Sequence, residues 1–134
     1  MTEFVALGGG CHCGLVRYEV RTTPAIAGYC HCRICQKLTG APAIAWAQVP
    51  IGAFRYVSGE PSVYRSSDTG ERRFCPRCGS QIEFRQQGSP EAVVVLIGTL
   101  DEPAKVPPQV HIFTERRIPW FDTTDDLPRL PRGP

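Results

Sequence analysis

Between positions 15 and 21 the chain alternates Val16, Tyr18 and Val20 against Arg17, Glu19 and Arg21, the period-two pattern of a strand with one face buried. Further strands are expected over residues 43–49, 53–57, 62–65, 72–74, 81–84 and 92–97, the last a continuous apolar run. Turn-forming residues separate them at Val49-Pro50, Ser58-Gly59-Glu60-Pro61, Asp68-Thr69-Gly70 and Gly88-Ser89-Pro90, where glycine and proline supply the backbone angles of tight turns. Only residues 33–38 read as helix, starting at a group of cysteines and stopping at Thr39-Gly40. A helix N-terminus directs free N–H groups and partial positive charge at what precedes it, which favours thiolate over thiol. With 13 Gly and 13 Pro spread through the chain, the pattern predicts short strands and an all-β fold with that one short helix.

A length of 134 residues with 42% apolar and 21% charged side chains suits one globular domain. We place that domain at residues 1–126. The remainder, Leu-Pro-Arg-Leu-Pro-Arg-Gly-Pro at 127–134, reads as an extended tail whose prolines, lacking N–H groups, keep it out of any sheet interior. The net charge is +2, and every basic residue except Lys37 and Lys105 is arginine, which suits carboxylates and small oxyanions. Because the basic residues are scattered and nearly balanced by 13 acids, nucleic acid is not the expected partner. The first residues, Met1-Thr2-Glu3-Phe4-Val5, show no basic start and no signal-peptide core, and nothing approaches a membrane span. The expected setting is therefore the cytoplasm, where thiols stay reduced. Seven cysteines there call for a role other than disulfides, and an odd number cannot all pair within the chain.

They fall into three groups: Cys11-His12-Cys13, Cys30-His31-Cys32-Arg33-Ile34-Cys35 and Cys75-Pro76-Arg77-Cys78-Gly79. In the third, proline and glycine shape a tight turn that aims backbone N–H groups at two converging thiolates. Two more ligands are needed, and residues i and i+2 of an extended segment present Cys11 and Cys13 on one side. Cys11, Cys13, Cys75 and Cys78 are thus expected to form a closed, structural four-sulfur zinc site. A thioredoxin-like redox pair is disfavoured because no βαβ pattern surrounds either Cys-x-x-Cys.

Cys30, Cys32 and Cys35 remain for a second zinc site, and spacing leaves two readings open. Three protein ligands with a free fourth position is the pattern of a reactive zinc, whereas closure by His12, His31, His111 or a partner chain would make it structural. Three thiolates around one Zn²⁺ leave a poor Lewis acid, which disfavours water activation. Such a site better suits capturing another sulfur and presenting it to an electrophile.

The motif order Gly-Gly-Cys-His-Cys-Gly at 9–14, Cys-His-Cys-Arg-Ile-Cys-Gln at 30–36, Thr-Gly-Ala-Pro at 39–42, Phe-Cys-Pro-Arg-Cys-Gly-Ser at 74–80 and His-Ile-Phe…Pro-Trp-Phe…Asp-Leu-Pro at 111–128 resembles the glutathione-dependent formaldehyde-activating enzyme family, also called the centromere protein V family. The resemblance implies a β-tent of antiparallel sheets, a structural zinc on Cys11, Cys13, Cys75 and Cys78, and a second, catalytic zinc on Cys30, Cys32 and Cys35. Two zinc ions per chain are expected, the second the more labile. The implied activity is that of a carbon–sulfur lyase joining glutathione and formaldehyde as S-hydroxymethylglutathione, or releasing them.

Arg33, Lys37 and Arg73 are candidates to pair the carboxylates of glutathione, and Gln36, Thr39 and His111 candidate donors to the developing alkoxide. Trp46 and Trp120 are expected in the core or in a pocket wall. Two other classes compete: a zinc-stabilised binding module without chemistry, and a lyase acting on a different thiol adduct.

Overall fold

The computed structural model describes residues 6–134. The reading of the first five residues lies outside it. In chain order the strands are β1 (Leu7–Gly10), β2 (Arg17–Val20), β3 (Ile26–Cys30), β4 (Ile44–Pro50), β5 (Phe54–Ser58), β6 (Ser62–Arg65), β7 (Gly70–Phe74), β8 (Gln81–Gln86), β9 (Ala92–Leu96) and β10 (Val110–Ile112). Among the described residues a single α-helix, α1 (Arg33–Thr39), follows β3, and there are four short 3₁₀ turns. The fold is all-β with the one expected helix. No helix among the described residues is long and apolar enough to cross a membrane.

The strands form a three-stranded sheet, β1-β2-β5, and a seven-stranded sheet, β10-β3-β4-β9-β8-β7-β6. Every pairing is antiparallel except β10 on β3, which is parallel. Period-two alternation divides the large sheet between two apolar clusters. Ala47 and Val49 of β4 and Val93 and Val95 of β9 face the small sheet, where Val16, Tyr18, Val20 and Phe54 meet them in the main core. Trp46 of β4 and Val94 and Leu96 of β9 point the other way, into a second cluster with Cys30, Cys35, Val110 and Ile112. That outer face carries the site described below.

Three strands fall outside the alternation pattern. β1, Leu-Gly-Gly-Gly, is held by its ladder to β2 and by the ring of Tyr18, which occupies the space a Cβ at Gly9 would need. β3 ends on Cys30, and β10 is a three-residue strand with His111 at its centre. Pro50 ends β4 as its last paired residue instead of turning the chain.

Residues 127–134 lie along the free edge of β10. His111 N–H donates to Pro128 O at 2.8 Å, and Leu130 N–H donates to His111 O at 2.9 Å. The prolines contribute carbonyls only, as their chemistry demands. Leu130 packs against the second apolar cluster, so the segment is docked along its length.

Candidate metal and active site

The first cysteine group leaves β1 and the third follows β7, so each sits at the end of a different sheet. Cys11, Cys13, Cys75 and Cys78 converge with all four sulfurs within 4.8 Å of one another. Cys13 Sγ lies 3.6 Å from Cys11 Sγ and 3.7 Å from Cys75 Sγ, against the edge of about 3.8 Å expected of a tetrahedron with metal–sulfur bonds of about 2.3 Å. Backbone N–H groups of Val16, Arg77 and Cys78 donate to Cys11 and Cys75 sulfurs at 3.2–3.4 Å. Arg77 Nε donates to Cys13 Sγ at 3.2 Å. Hydrogen bonding from Ser80 lowers the Cys78 thiol to about 5. The four sulfurs could hold a metal ion, with N–H donors already directed at them.

Cys30 ends β3, Cys32 caps α1 and Cys35 lies in its first turn. The Cys32 sulfur accepts Cys35 N–H at 3.3 Å, and Gly40, at φ 73°, closes the helix by donating its N–H to Gln36 O. Cys35 Sγ stands 2.9 Å from Cys32 Sγ and 3.6 Å from Cys30 Sγ. The three sulfurs form a second group that could hold a metal, with no fourth His, Cys, Asp or Glu among the described residues. Hydrogen bonds from Cys30 and Cys35, with the Cys35 N–H and the Arg72 charge, lower the Cys32 thiol to about 2. The same hydrogen bonds, together with burial, push the Cys30 thiol up. Three thiolates this close repel one another, so full deprotonation calls for a cation among the sulfurs.

These sulfurs form one wall of a cavity of about 430 Å³ on the outer face of the large sheet. Its other walls are mainly aromatic and aliphatic, from Ile44, Trp46, Phe84, Val94, Leu96 and Ile112. Arg72 is the one charged lining residue among those described. It is buried, stacks 4.6 Å over Phe84, and donates to Cys35 Sγ at 3.5 Å and Ser66 Oγ at 3.2 Å.

The opposite face of β3 and β10 carries a second polar array. His111 Nε2 meets the Asp125 carboxylate at 3.0 Å, and its Nδ1 meets His31 Nε2 at 2.9 Å. The carboxylate can only accept, so His111 donates from Nε2 and, as a neutral ring, accepts at Nδ1. His31 must then donate from Nε2, and its buried Nδ1 is left a bare acceptor without a partner. Burial first, then the neighbouring His111 and two arginines, hold His31 below its ordinary value.

Several sequence-derived candidates sit elsewhere. His111 faces away from the cavity, and neither Gln36 nor Thr39 lines it. Both Gln36 and Thr39 are committed to backbone carbonyls, Gln36 Nε2 to His31 and Arg116 and Thr39 Oγ1 to Cys35. Arg33 donates to Gln36 Oε1 at 2.8 Å, and Lys37 lies in the last turn of α1 outside the lining. Arg73 turns inward toward Glu83, which Arg85 and the Tyr56 hydroxyl also contact. Trp46 lies in the cavity wall as expected, whereas Trp120, expected in the core or a wall, is 76% exposed. The residue missed was Arg72. Its signal was the pair Arg72-Arg73 inside a strand, where alternation obliges one arginine to face inward on each side.

The family model described as glutathione-dependent formaldehyde-activating enzyme matches residues 6–116. A protein of Halomonas elongata, provisionally named a glutathione-dependent formaldehyde-activating enzyme, is 31% identical over 125 residues, covering 87% of this chain and 80% of that protein. The crystal structure of a Rhodobacter sphaeroides protein aligns with a TM-score of 0.61 at 24% identity, over 91% of this chain and 98% of that one, which speaks to the fold alone. The family match takes in all seven cysteines and both sulfur groups, and the chain belongs to the glutathione-dependent formaldehyde-activating enzyme family.

Proposed function

We propose that the protein is a carbon–sulfur lyase that joins a small thiol, glutathione in the first instance, to an aldehyde such as formaldehyde, or releases the two from their adduct. The observation that carries this reading is the trio Cys30, Cys32 and Cys35 converging in a cavity wall without a fourth protein ligand among the described residues. The soft donor sets suit zinc at both groups. Cys11, Cys13, Cys75 and Cys78 would hold a structural ion and the trio a second, more labile one.

When bound at the trio, Zn²⁺ would supply a soft Lewis acid that keeps an incoming thiol ionised near neutral pH. The Cys35 N–H and the Arg72 guanidinium stabilise negative charge on the Cys32 and Cys35 sulfurs. The apolar walls exclude water, which strengthens those interactions and protects the adduct. The net reaction forms one carbon–sulfur bond, and the thiol proton ends on the former carbonyl oxygen. We place this chemistry in the cytoplasm, where the seven cysteines, all free in the structure, remain reduced.

The test is the rate of glutathione–formaldehyde adduct formation, and of its reversal, with zinc-loaded protein, against the uncatalysed exchange and a Cys35→Ser control. Acceleration that disappears in the control is the expected result. No acceleration with the intact protein rejects this reaction.

A further inference from the structure

The cavity beside the three sulfurs is large, apolar and almost uncharged, which is a poor match to both named reactants. Formaldehyde brings a single carbon to a space of about 430 Å³, a volume within the range of about 300–1,000 Å³ typical of sites for whole small molecules. Glutathione carries two carboxylates and an ammonium group at neutral pH. Burying them among Trp46, Phe84, Val94 and Leu96 would strip their hydration, and Arg72 is the one charged side chain in the lining to answer them. Arg72 is itself already engaged by Cys35, Ser66 and the Phe84 ring.

We propose that this cavity binds the aldehyde partner, and that the aldehyde carries a bulky apolar group, a medium-length alkyl chain or an aryl ring. This rests on the thiol–aldehyde reading above and names its substrate class. Charged ends of the thiol remain in solvent, and only its sulfur reaches the cysteine trio. The apolar group of the aldehyde fills the space between the β4, β9 and β8 side chains, bringing its carbonyl carbon to that sulfur. The Trp46 ring, in this wall, packs against the apolar group. The addition needs no further reactant: the sulfur–carbon bond forms as the carbonyl π bond breaks, and the thiol proton passes to the oxygen.

The experiment holds glutathione constant and compares kcat/KM for formaldehyde, butanal, hexanal and benzaldehyde on the zinc-loaded full chain. A parallel series measures binding of 1-butanol, 1-hexanol and 1-octanol to a Trp120→Phe variant. Trp46 is then the sole tryptophan, since the chain has 2, and its fluorescence reports the cavity. The expected result is kcat/KM rising about fourfold per added methylene until the cavity is filled, with alkanol affinity rising in parallel. A series that is flat, or best with formaldehyde, overturns the inference while leaving the thiol–aldehyde reaction in place. If no aldehyde is turned over, the thiol–aldehyde reading fails and the alkanol series decides for the cavity. Affinity that grows with chain length upholds an apolar ligand site, and absence of binding overturns it.

Discussion

Arg72 Nη1 stands 3.5 Å from Cys35 Sγ, reaching it from the opposite end of the large sheet's outer face. A hydrogen bond to a charged group contributes about 1.5–3 kcal/mol, so Arg72→Met is expected to lower kcat/KM about tenfold to a hundredfold. Methionine retains much of the packing on Phe84, so the melting temperature and zinc content should change little. Loss of zinc in this variant would instead make Arg72 part of metal retention.

The two sulfur groups are expected to fail in different ways. Cys78→Ser would remove one of the four sulfurs proposed to hold an ion between the ends of two sheets. Structural zinc is worth about 10–16 kcal/mol in small peptides, against a total stability of about 5–15 kcal/mol for a typical domain, so this variant should fold poorly. Cys35→Ser should remain folded with one zinc per chain and no activity. Zinc content by mass spectrometry and thermal melting distinguish them, and equal loss of fold in both would reject the division of labour.

Asp125 gives a signature in acid. Hydrogen bonds from Thr123 and His111 lower its carboxyl to about 2, below the ordinary value of about 3.9. As pH falls, the unfolded chain takes up this proton first. The stabilisation is therefore complete above about pH 4 and disappears as pH falls toward 2. The difference in melting temperature between the parent protein and Asp125→Ala should be constant from pH 7 to 5 and shrink below pH 4. Subtracting the variant removes acid effects on the thiolates common to both proteins. A difference that persists unchanged to pH 2 would deny Asp125 its charged role.

Gly28 allows β3, β4 and β10 to approach closely. A Cβ there would lie 2.6 Å from Val110 O, 2.8 Å from Val110 Cγ1 and 2.9 Å from Trp46 Cζ2. Gly28→Ala should cost about 1–3 kcal/mol, the range for overpacked cores, and shift the Trp46 wall. Denaturant unfolding measures the first, and Trp46 fluorescence in a Trp120→Phe background reports the second.

Strands with strict alternation were legible from residue order, as Val16, Tyr18 and Val20 show, because burial on one face writes itself into sequence with period two. β1 was not, since three glycines carry no hydrophobicity and its place is set by Tyr18 from the neighbouring strand. Both sulfur groups could be read from spacing because a metal site needs particular atoms at short range. The roles of Arg72 and Arg73 could not. They depend on which way β7 presents each residue, and that register is settled by Phe84 and Glu83 on the paired strand. His111 looked available from its motif, yet its position on β10 turns it toward His31 and Asp125, away from the cavity.

The contact between Cys13 and Cys75 joins positions 62 apart in sequence, and the trio Cys30, Cys32 and Cys35 lies wholly on the stretch between them. An ion on the first group would act as a clasp, turning that stretch into a closed ring. Closing a ring of this length removes about 4 kcal/mol of chain freedom from the unfolded state, and the inner sulfurs inherit the restriction without contributing to it. The trio itself, its sulfurs at most five positions apart, needs no such closure to meet, so a chelator that empties the trio should leave the fold closed, and one that opens the clasp should not.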